Sequence, residues 1–521
     1  MKLSTVCWGL LTAVVHQVHY VRGESVAANC SSSAIPPPAV PGTRVLSVTA
    51  APVSNYNATT ALIDFCNVTV VYTHPGWNDS IVVTTWLPLR NWTGRLVGSG
   101  GGGWSMRSVD SVLAAEVVAG RAVVATDGGH VVDELDAAQW AIDPSGAVRT
   151  FLLQDFASVT LNDAALMGKA VARGFYGAAP RYAYWSGCST GGRQGHMLAQ
   201  RYPNAYDGIL AVAPAINWGS LIPAMVWPMV VMHELGVAPP QCVLETIVNA
   251  AVAACDGLDG LLDGIVSAPE RCAFDPHTLV GRSIDCGELG RANISAAHAT
   301  LVQKIWQGPT TPAGESLWYG HEPGAGLFGV ANTKCSGSPT NCTGVPFAVA
   351  HDWVRLFVIG ANTPFDISRS TYAEYATLFA ASKAKAQDII STNNPDLSGF
   401  KAAGGKLLSW HGLADPGIPP RGTKQFYDRV QAFDPRIRDF FRHFEAPGAG
   451  HCQGGVVPLN PLDALIDWVE HGVAPDTLLA ASPNLESTRP LCPYPLVSAY
   501  IGGDKKKASS YACRTNFTAP V

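Results

Sequence analysis

Tyr182-Ala183-Tyr184-Trp185-Ser186-Gly187-Cys188-Ser189-Thr190-Gly191-Gly192-Arg193 is the stretch on which the fold turns. Its first five residues are an apolar, strand-like run, Gly187 to Gly191 match Gly-x-Ser-x-Gly, and Arg193 to Arg201 carry a helical pattern. A serine between glycines at a strand-to-helix turn is the nucleophile elbow of an α/β-hydrolase sheet, where the sharp turn exposes the hydroxyl. Glycine is 52 of 521 residues, so the pentapeptide alone also fits a structural turn; the flanking strand and helix carry the reading.

A serine hydroxyl attacks only when a base takes its proton and a third group orients that base. In this fold the order along the chain is Ser, Asp, His. Asp415 lies in His411-Gly412-Leu413-Ala414-Asp415-Pro416-Gly417, just after the strand-like Lys406 to Trp410. His451 lies in Ala446-Pro447-Gly448-Ala449-Gly450-His451-Cys452, after the strand-like Phe440 to Glu445. Both follow C-terminal ends of strands, where such sites form. His411 and His443 compete for the role of base, and Asp428 and Asp434 for that of orienter. The glycine-rich loop and the neighbouring cysteine favour His451. Cys188 touches Ser189 and Cys452 touches His451. If these two cysteines are bonded, their Cα atoms lie about 4.4–6.8 Å apart, which brings the serine and histidine within reach. Closing so long a loop also stabilises by roughly 4–5 kcal/mol on the entropy model. Pairing with other cysteines stays open at this point. The constellation points to serine esterase chemistry.

Acyl transfer needs donors for the developing oxyanion. The N–H of Thr190 is one, and Gly98-Ser99-Gly100-Gly101-Gly102-Gly103 offers the second through Gly101 or Gly102. A flexible turn or a phosphate loop would read similarly, but no Gly-x-x-x-x-Gly-Lys-Ser/Thr is present.

Further strand-like runs are Arg95 to Gly98, Arg121 to Thr126 and Gly208 to Val212; with Tyr182 to Ser186 and Lys406 to Trp410 they read as buried parallel strands. Helical patterns such as Phe156 to Arg173 alternate with them, which indicates an α/β sheet. The alternation stops near Ala215 and resumes near Gly404. The division expected is a signal peptide at 1–23, a catalytic domain from 24–214 and 400–521, and an inserted lid at 215–399. The lid holds Cys255-Asp256-Gly257-Leu258-Asp259-Gly260-Leu261-Leu262-Asp263-Gly264-Ile265. Asp256, Asp259 and Asp263, with the carbonyls of Leu261 and Ile265, offer hard oxygen ligands for Ca²⁺, although plain Asp-Gly turns would look alike. No Cys-x-x-Cys or His-Glu-x-x-His points to zinc.

Hydrophobic residues are 47% and charged residues 14%, a globular composition. A net charge of -5 gives no footprint for nucleic acid or for a polybasic membrane surface. Lys2 followed by the apolar Val6 to Val15 reads as a secretory signal, and no later segment is expected to cross a membrane: Leu221 to Met232 is short and broken by Pro223 and Pro228. Of 13 cysteines, Cys7 leaves with the signal, and the even remainder fits a secreted disulfide framework. Sequons at Asn29, Asn57, Asn67, Asn78, Asn91, Asn293, Asn341 and Asn516 point to the same extracellular compartment.

Together, Gly187-Cys188-Ser189-Thr190-Gly191-Gly192, Gly412-Leu413-Ala414-Asp415-Pro416 and Gly450-His451-Cys452 resemble the tannase/feruloyl esterase family, from about residue 30 to the end. The resemblance implies an α/β-hydrolase fold with a lid, Ser189 as nucleophile, Asp415 as orienter, His451 as base and a Cys188–Cys452 disulfide. It also implies a lid calcium loop at Asp256, Asp259, Leu261, Asp263 and Ile265. The implied further disulfides are Cys255–Cys272, Cys335–Cys342, Cys492–Cys513, Cys30–Cys66 and Cys242–Cys286. The substrate implied is a phenolic acid ester, free or linked to polysaccharide. Thr190 resembles the feruloyl esterases, whereas Asp64 to Val70 look more like tannases, which cleave gallate esters. A serine peptidase and a non-catalytic secreted binding module are the rivals from other classes. Oligomeric state and pathway are not written in the sequence.

Overall fold

Nine strands join into one mixed sheet in the computed structural model, which describes residues 29–130 and 133–517. The segment read as a signal lies outside the described residues. The strands are β1 (Arg44–Asn57), β2 (Leu62–Thr73), β3 (Ile81–Pro88), β4 (Arg95–Ser99), β5 (Ala122–Thr126), β6 (Tyr182–Cys188), β7 (Gly208–Val212), β8 (Lys406–Gly412) and β9 (Phe441–Ala446). Their order is β1-β2-β3-β5-β4-β6-β7-β8-β9. From β5 to β9 all neighbours run parallel. β1, β2 and β3 add an antiparallel meander against β5.

The parallel strands read as unbroken apolar runs because both faces are covered. Ala183, Trp185, Ile209, Ala211 and Leu407 face one hydrophobic cluster. Tyr184, Leu210, Val212 and Leu408 face a second, which includes Leu465 and Trp468 of the helix Pro461–His471. This is the period-two alternation of a strand. The helical pattern expected at Phe156 to Arg173 lies in a longer run: an α-turn at Thr150–Gln154, a π-turn at Asp155–Val159 and an α-helix at Thr160–Tyr176.

The expected lid residues fall between β7 and β8 and carry helices Trp218–Ala224, Trp227–Leu235, Gln241–Cys255, Ala296–Gln307 and Tyr372–Ala386. Their apolar faces, including Leu221, Trp227, Ile247, Leu301 and Tyr375, join the cluster that covers the sheet. By length and composition alone, the helical run Gln241–Asp259 could cross a membrane, contrary to the expectation that no later segment could. It is amphipathic in place: Val243, Leu244, Ile247, Val248 and Ala251 are buried, and Cys242 and Cys255 are tied by disulfides.

The disulfides are Cys30–Cys66, Cys188–Cys452, Cys242–Cys286, Cys255–Cys272, Cys335–Cys342 and Cys492–Cys513. Seven sequon asparagines are exposed, but Asn67 is half-buried in β2 with a buried, unpartnered side-chain oxygen.

Candidate active site

Ser189 follows β6 directly and is the N-cap of the helix Thr190–Arg201. Its backbone sits at φ 60°, ψ −121°, a conformation costing on the order of 1–3 kcal/mol that survives only where surroundings impose it. They do so through Ser189 N–H to Val212 O at 3.0 Å, Ala215 N–H to Ser189 O at 3.1 Å and Arg193 N–H to Ser189 O at 3.0 Å. Gly187 permits the turn, since a Cβ there would lie 2.6 Å from the Gly191 backbone. Arg193, fully buried, donates to the carbonyls of Ala157 and Phe156 and lies over the Phe156 and Trp218 rings.

Asp415 is fully buried in the loop after β8. Its Oδ1 accepts the N–H groups of Gly417 at 2.8 Å and Ile418 at 2.9 Å. Its Oδ2 receives His451 Nδ1 at 2.7 Å and His411 Nε2 at 3.1 Å. Gly412 lets the two loops meet, because a Cβ there would lie 2.3 Å from Ala449 O. Of the three histidines weighed as base, His411 and His443 are wholly enclosed, whereas the His451 side chain is 31% exposed and can meet a substrate. His411 is a second partner of Asp415, steadied by Thr423 Oγ1 at 2.9 Å. Asp434 pairs with Lys401 instead, and Asp428 takes a long bond from Tyr494. The Cys188–Cys452 disulfide, Cα atoms 5.9 Å apart, holds the residues beside Ser189 and His451 together. Ser189 Oγ and His451 are not hydrogen-bonded here; such bonds tighten when substrate binds.

Burial works to raise the Asp415 pKa, but the His451 charge and the bonds from His411 and His451 hold it far below the carboxylate range. Burial works to lower His451, and Asp415 outweighs it, leaving the imidazole above its ordinary 6.5. As a base, His451 must be neutral. Activity should therefore fall on the acid side with a midpoint above pH 6.5, and Asp415→Asn should move that limb down and cost about 10⁴-fold in kcat. A pH–rate profile with its acid limb unmoved in the variant would contradict this coupling. The sign for stability follows from the same shifts: the lowered Asp415 contributes above about pH 4 and loses its share as pH falls through its folded value. The raised His451 contributes fully below about pH 6.5 and loses its share as pH rises through its folded value.

The glycine loop after β4 is stitched to the elbow by Gly191 N–H to Gly101 O at 2.8 Å and Thr190 Oγ1 to Gly103 O at 2.7 Å. Gly101, one of the two candidate oxyanion glycines, is ruled out as a donor because its N–H already donates to Gln194 Oε1 at 3.1 Å. The N–H groups of Gly102 and Thr190 have no protein acceptor among the described residues. Gln194 and His411 went unnoticed in the roles they take. Gln194 sits five residues after Ser189, but nothing local shows that its side chain reaches Gly101.

In the loop after the helix Gln241–Cys255, Asp256 Oδ1 accepts the N–H groups of Asp263, Gly264 and Ile265, and Asp259 Oδ1 that of Leu261. Asp263 Oδ2 meets Arg489 at 2.7 Å. The second oxygens of Asp256 and Asp259 and the carbonyls of Leu261 and Ile265 have no donor among the described residues. Burial and the neighbouring Asp259 and Asp256 charges raise the Asp263 pKa against Arg489. A set of hard oxygens with mutual repulsion fits a calcium ion.

A family model described as "Tannase and feruloyl esterase" matches residues 66–514. The chain is 40% identical to a probable feruloyl esterase of Arthroderma benhamiae, over 94% of this chain and 95% of that one. Among solved structures, it is similar to a tannin acyl hydrolase from Aspergillus niger (TM-score 0.84, 28% identity, 94% of each chain). It is also similar to feruloyl esterase B from Aspergillus oryzae (TM-score 0.79, 27% identity, 94% of this chain and 100% of that one).

Proposed function

Because the chain belongs to the tannase and feruloyl esterase family and is a carboxylic ester hydrolase, we propose that it is a secreted enzyme cleaving phenolic acid esters through Ser189, His451 and Asp415. One observation carries the mechanism: the Asp415–His451 pair is fastened beside the strained Ser189 turn by the Cys188–Cys452 bond. His451 takes the Ser189 proton as the oxygen attacks the ester carbonyl, and Asp415 keeps Nδ1–H pointed inward so that Nε2 is the basic nitrogen. The N–H groups of Thr190 and Gly102 receive the oxyanion. The alcohol leaves with the proton from His451. Water then attacks the acyl-enzyme, again deprotonated by His451, and frees the acid. The disulfide framework supports an oxidising, extracellular setting.

The name of the 40% identical relative favours a ferulate-type acid, and the tannin acyl hydrolase likeness keeps gallate as the second reading. Methyl ferulate, methyl gallate and a plain aliphatic methyl ester, compared side by side, test this. We expect kcat/KM on ferulate to exceed the aliphatic ester by about 10-fold or more, the scale of a few kcal/mol of pocket binding. Preference for gallate would shift the reading to a tannase, and preference for the aliphatic ester would overturn it.

We further propose that Asp256, Asp259, Asp263 and the carbonyls of Leu261 and Ile265 hold a structural calcium ion. Ile265 lies against Gly448, three residues before His451, so the loop buttresses the catalytic histidine. At about 100-fold excess over Kd the ion would stabilise by about 2.7 kcal/mol, so chelation should lower the melting temperature by a few degrees. An unchanged transition in excess chelator would remove the calcium assignment.

A further inference from the structure

Toward the opposite edge of the sheet from β8 and β9, a second group of acids gathers around one imidazole. His74 follows β2 and Asp79 precedes β3, while Asp155 and Asp163 come from the helical run 150–176. His74, Asp79 and Asp155 are buried, and each offers a ligand atom within 4.8 Å of the others. His74 Nδ1 is 2.5 Å from Asp79 Oδ2 and 3.7 Å from Asp155 Oδ1.

Asp155 is the telling member. Its exposure is 0%, and neither carboxylate oxygen has a hydrogen-bond partner. A buried carboxylate without a donor costs several kcal/mol, and native interiors satisfy theirs. Among the described residues, the ion pairs of Asp79, Asp155 and Asp163 run to His74 alone, so even a charged imidazole leaves the group net negative.

The surroundings are arranged as a metal's outer shell would be. Asp79 Oδ1 is occupied by Thr73 Oγ1 at 2.6 Å and His74 N–H at 2.8 Å, which leaves Oδ2 to point inward. His74 Nε2 lies 3.0 Å from Asp163 Oδ2, which also accepts Tyr72 OH at 3.1 Å. A carboxylate on one ring nitrogen fixes the imidazole and raises the basicity of the other, the usual arrangement behind a metal-bound histidine. His74 and Asp79 also line an open cleft of about 420 Å³, which gives an ion a route in.

We propose that His74 Nδ1, Asp79 Oδ2 and the Asp155 carboxylate bind a divalent cation of the zinc class, with the remaining position open to the cleft. The 2+ charge offsets two carboxylates. Mixed imidazole and carboxylate donors suit zinc or manganese, whereas calcium takes oxygens in larger number. Ligand atoms around tetrahedral zinc lie about 3.3 Å apart, so the His74 Nδ1–Asp79 Oδ2 pair, 2.5 Å apart here, opens by roughly 0.8 Å while Asp155 Oδ1, 3.7 Å from Nδ1, closes by roughly 0.4 Å. The ion takes the Nδ1 lone pair, and the proton held between Nδ1 and Asp79 passes to solvent. The site would pin the β2–β3 turn to the helical run 150–176. It sits on the same rim of the sheet as Ser189, four strands away, or about 19 Å at ordinary strand spacing, and takes no part in the chemistry.

The test uses the full-length secreted protein, stripped of metal and then saturated with CaCl₂ to fill the lid loop. Titration with ZnCl₂ by calorimetry should give one equivalent with a Kd of about 1 μM or tighter. CoCl₂ should give visible d–d bands without thiolate charge transfer. Asp155→Asn and His74→Gln should each weaken zinc by about 100-fold, Asp163→Asn by about 10-fold, and Asp259→Asn not at all. Asp155→Asn removes an unpartnered carboxylate, so it remains informative if His74→Gln does not fold. Absence of saturable zinc binding by the parent, or parent-like affinity in Asp155→Asn, overturns the site. A metal-free Asp155→Asn protein that melts higher, beside a parent that binds no zinc, would identify a proton-sharing network instead.

Discussion

Ser189→Ala is expected to lower kcat by about 10⁵- to 10⁶-fold on every ester the enzyme cleaves, while the protein stays folded. The loss is large because the acyl-enzyme cannot form, and His451 and Asp415 then have no oxygen to activate. The fold should not notice. The bonds that impose the turn use the backbone of residue 189, to Val212, Ala215 and Arg193, and alanine keeps all of them. The strained φ of 60° is shared by both residues and cancels in the comparison. Burst kinetics on an activated ester, labelling with a serine-directed phosphonate and a melting curve read the result. Retained turnover and labelling in a folded variant would dispose of Ser189 as the nucleophile.

The second large effect belongs to the Cys188–Cys452 bond. Replacing both cysteines by alanine should lower kcat/KM by about 100-fold or more, since a misplacement of about 1 Å in a catalytic pair costs that much. It should also destabilise by up to about 5 kcal/mol, because the bond closes a loop with a separation of 264 residues. The control is Cys335–Cys342, a separation of 7 residues in a short antiparallel hairpin. Its removal should cost about 2–3 kcal/mol on the same model and leave kcat/KM nearly unchanged. Equal losses of activity in the two variants would mean that the 188–452 bond acts only through global stability.

What was legible in the sequence was chemistry carried by contiguous residues. The elbow, the Asp415 turn and the His451-Cys452 pair each stand out within a few positions, and the fold brings them to one place. The parallel strands showed because burial on both faces makes them unbroken apolar runs. The meander was not read: β1 is an edge strand with no fully buried position along its length and Pro52 inside it. Gly101 and Gly102 could not be separated, since their difference lies in Gln194, a contact across 93 positions. His411 appeared as a rival of His451, and only the fold shows both meeting one carboxylate. The His74–Asp155 group is assembled from two elements 81 residues apart and has no local signature at all.

The long separation closed by that bond also sets a clock. At about 5–20 residues per second, Cys452 leaves the ribosome roughly 13–50 s after Cys188. For that interval Cys188 is a thiol awaiting a partner not yet made, while Cys30 and Cys66 are already synthesised and Cys242 to Cys342 emerge before Cys452. Oxidation that outruns translation would trap the wrong pair, and reshuffling takes seconds to hours. The yield of active protein should therefore depend on disulfide isomerase supply more than on the stability of the finished fold.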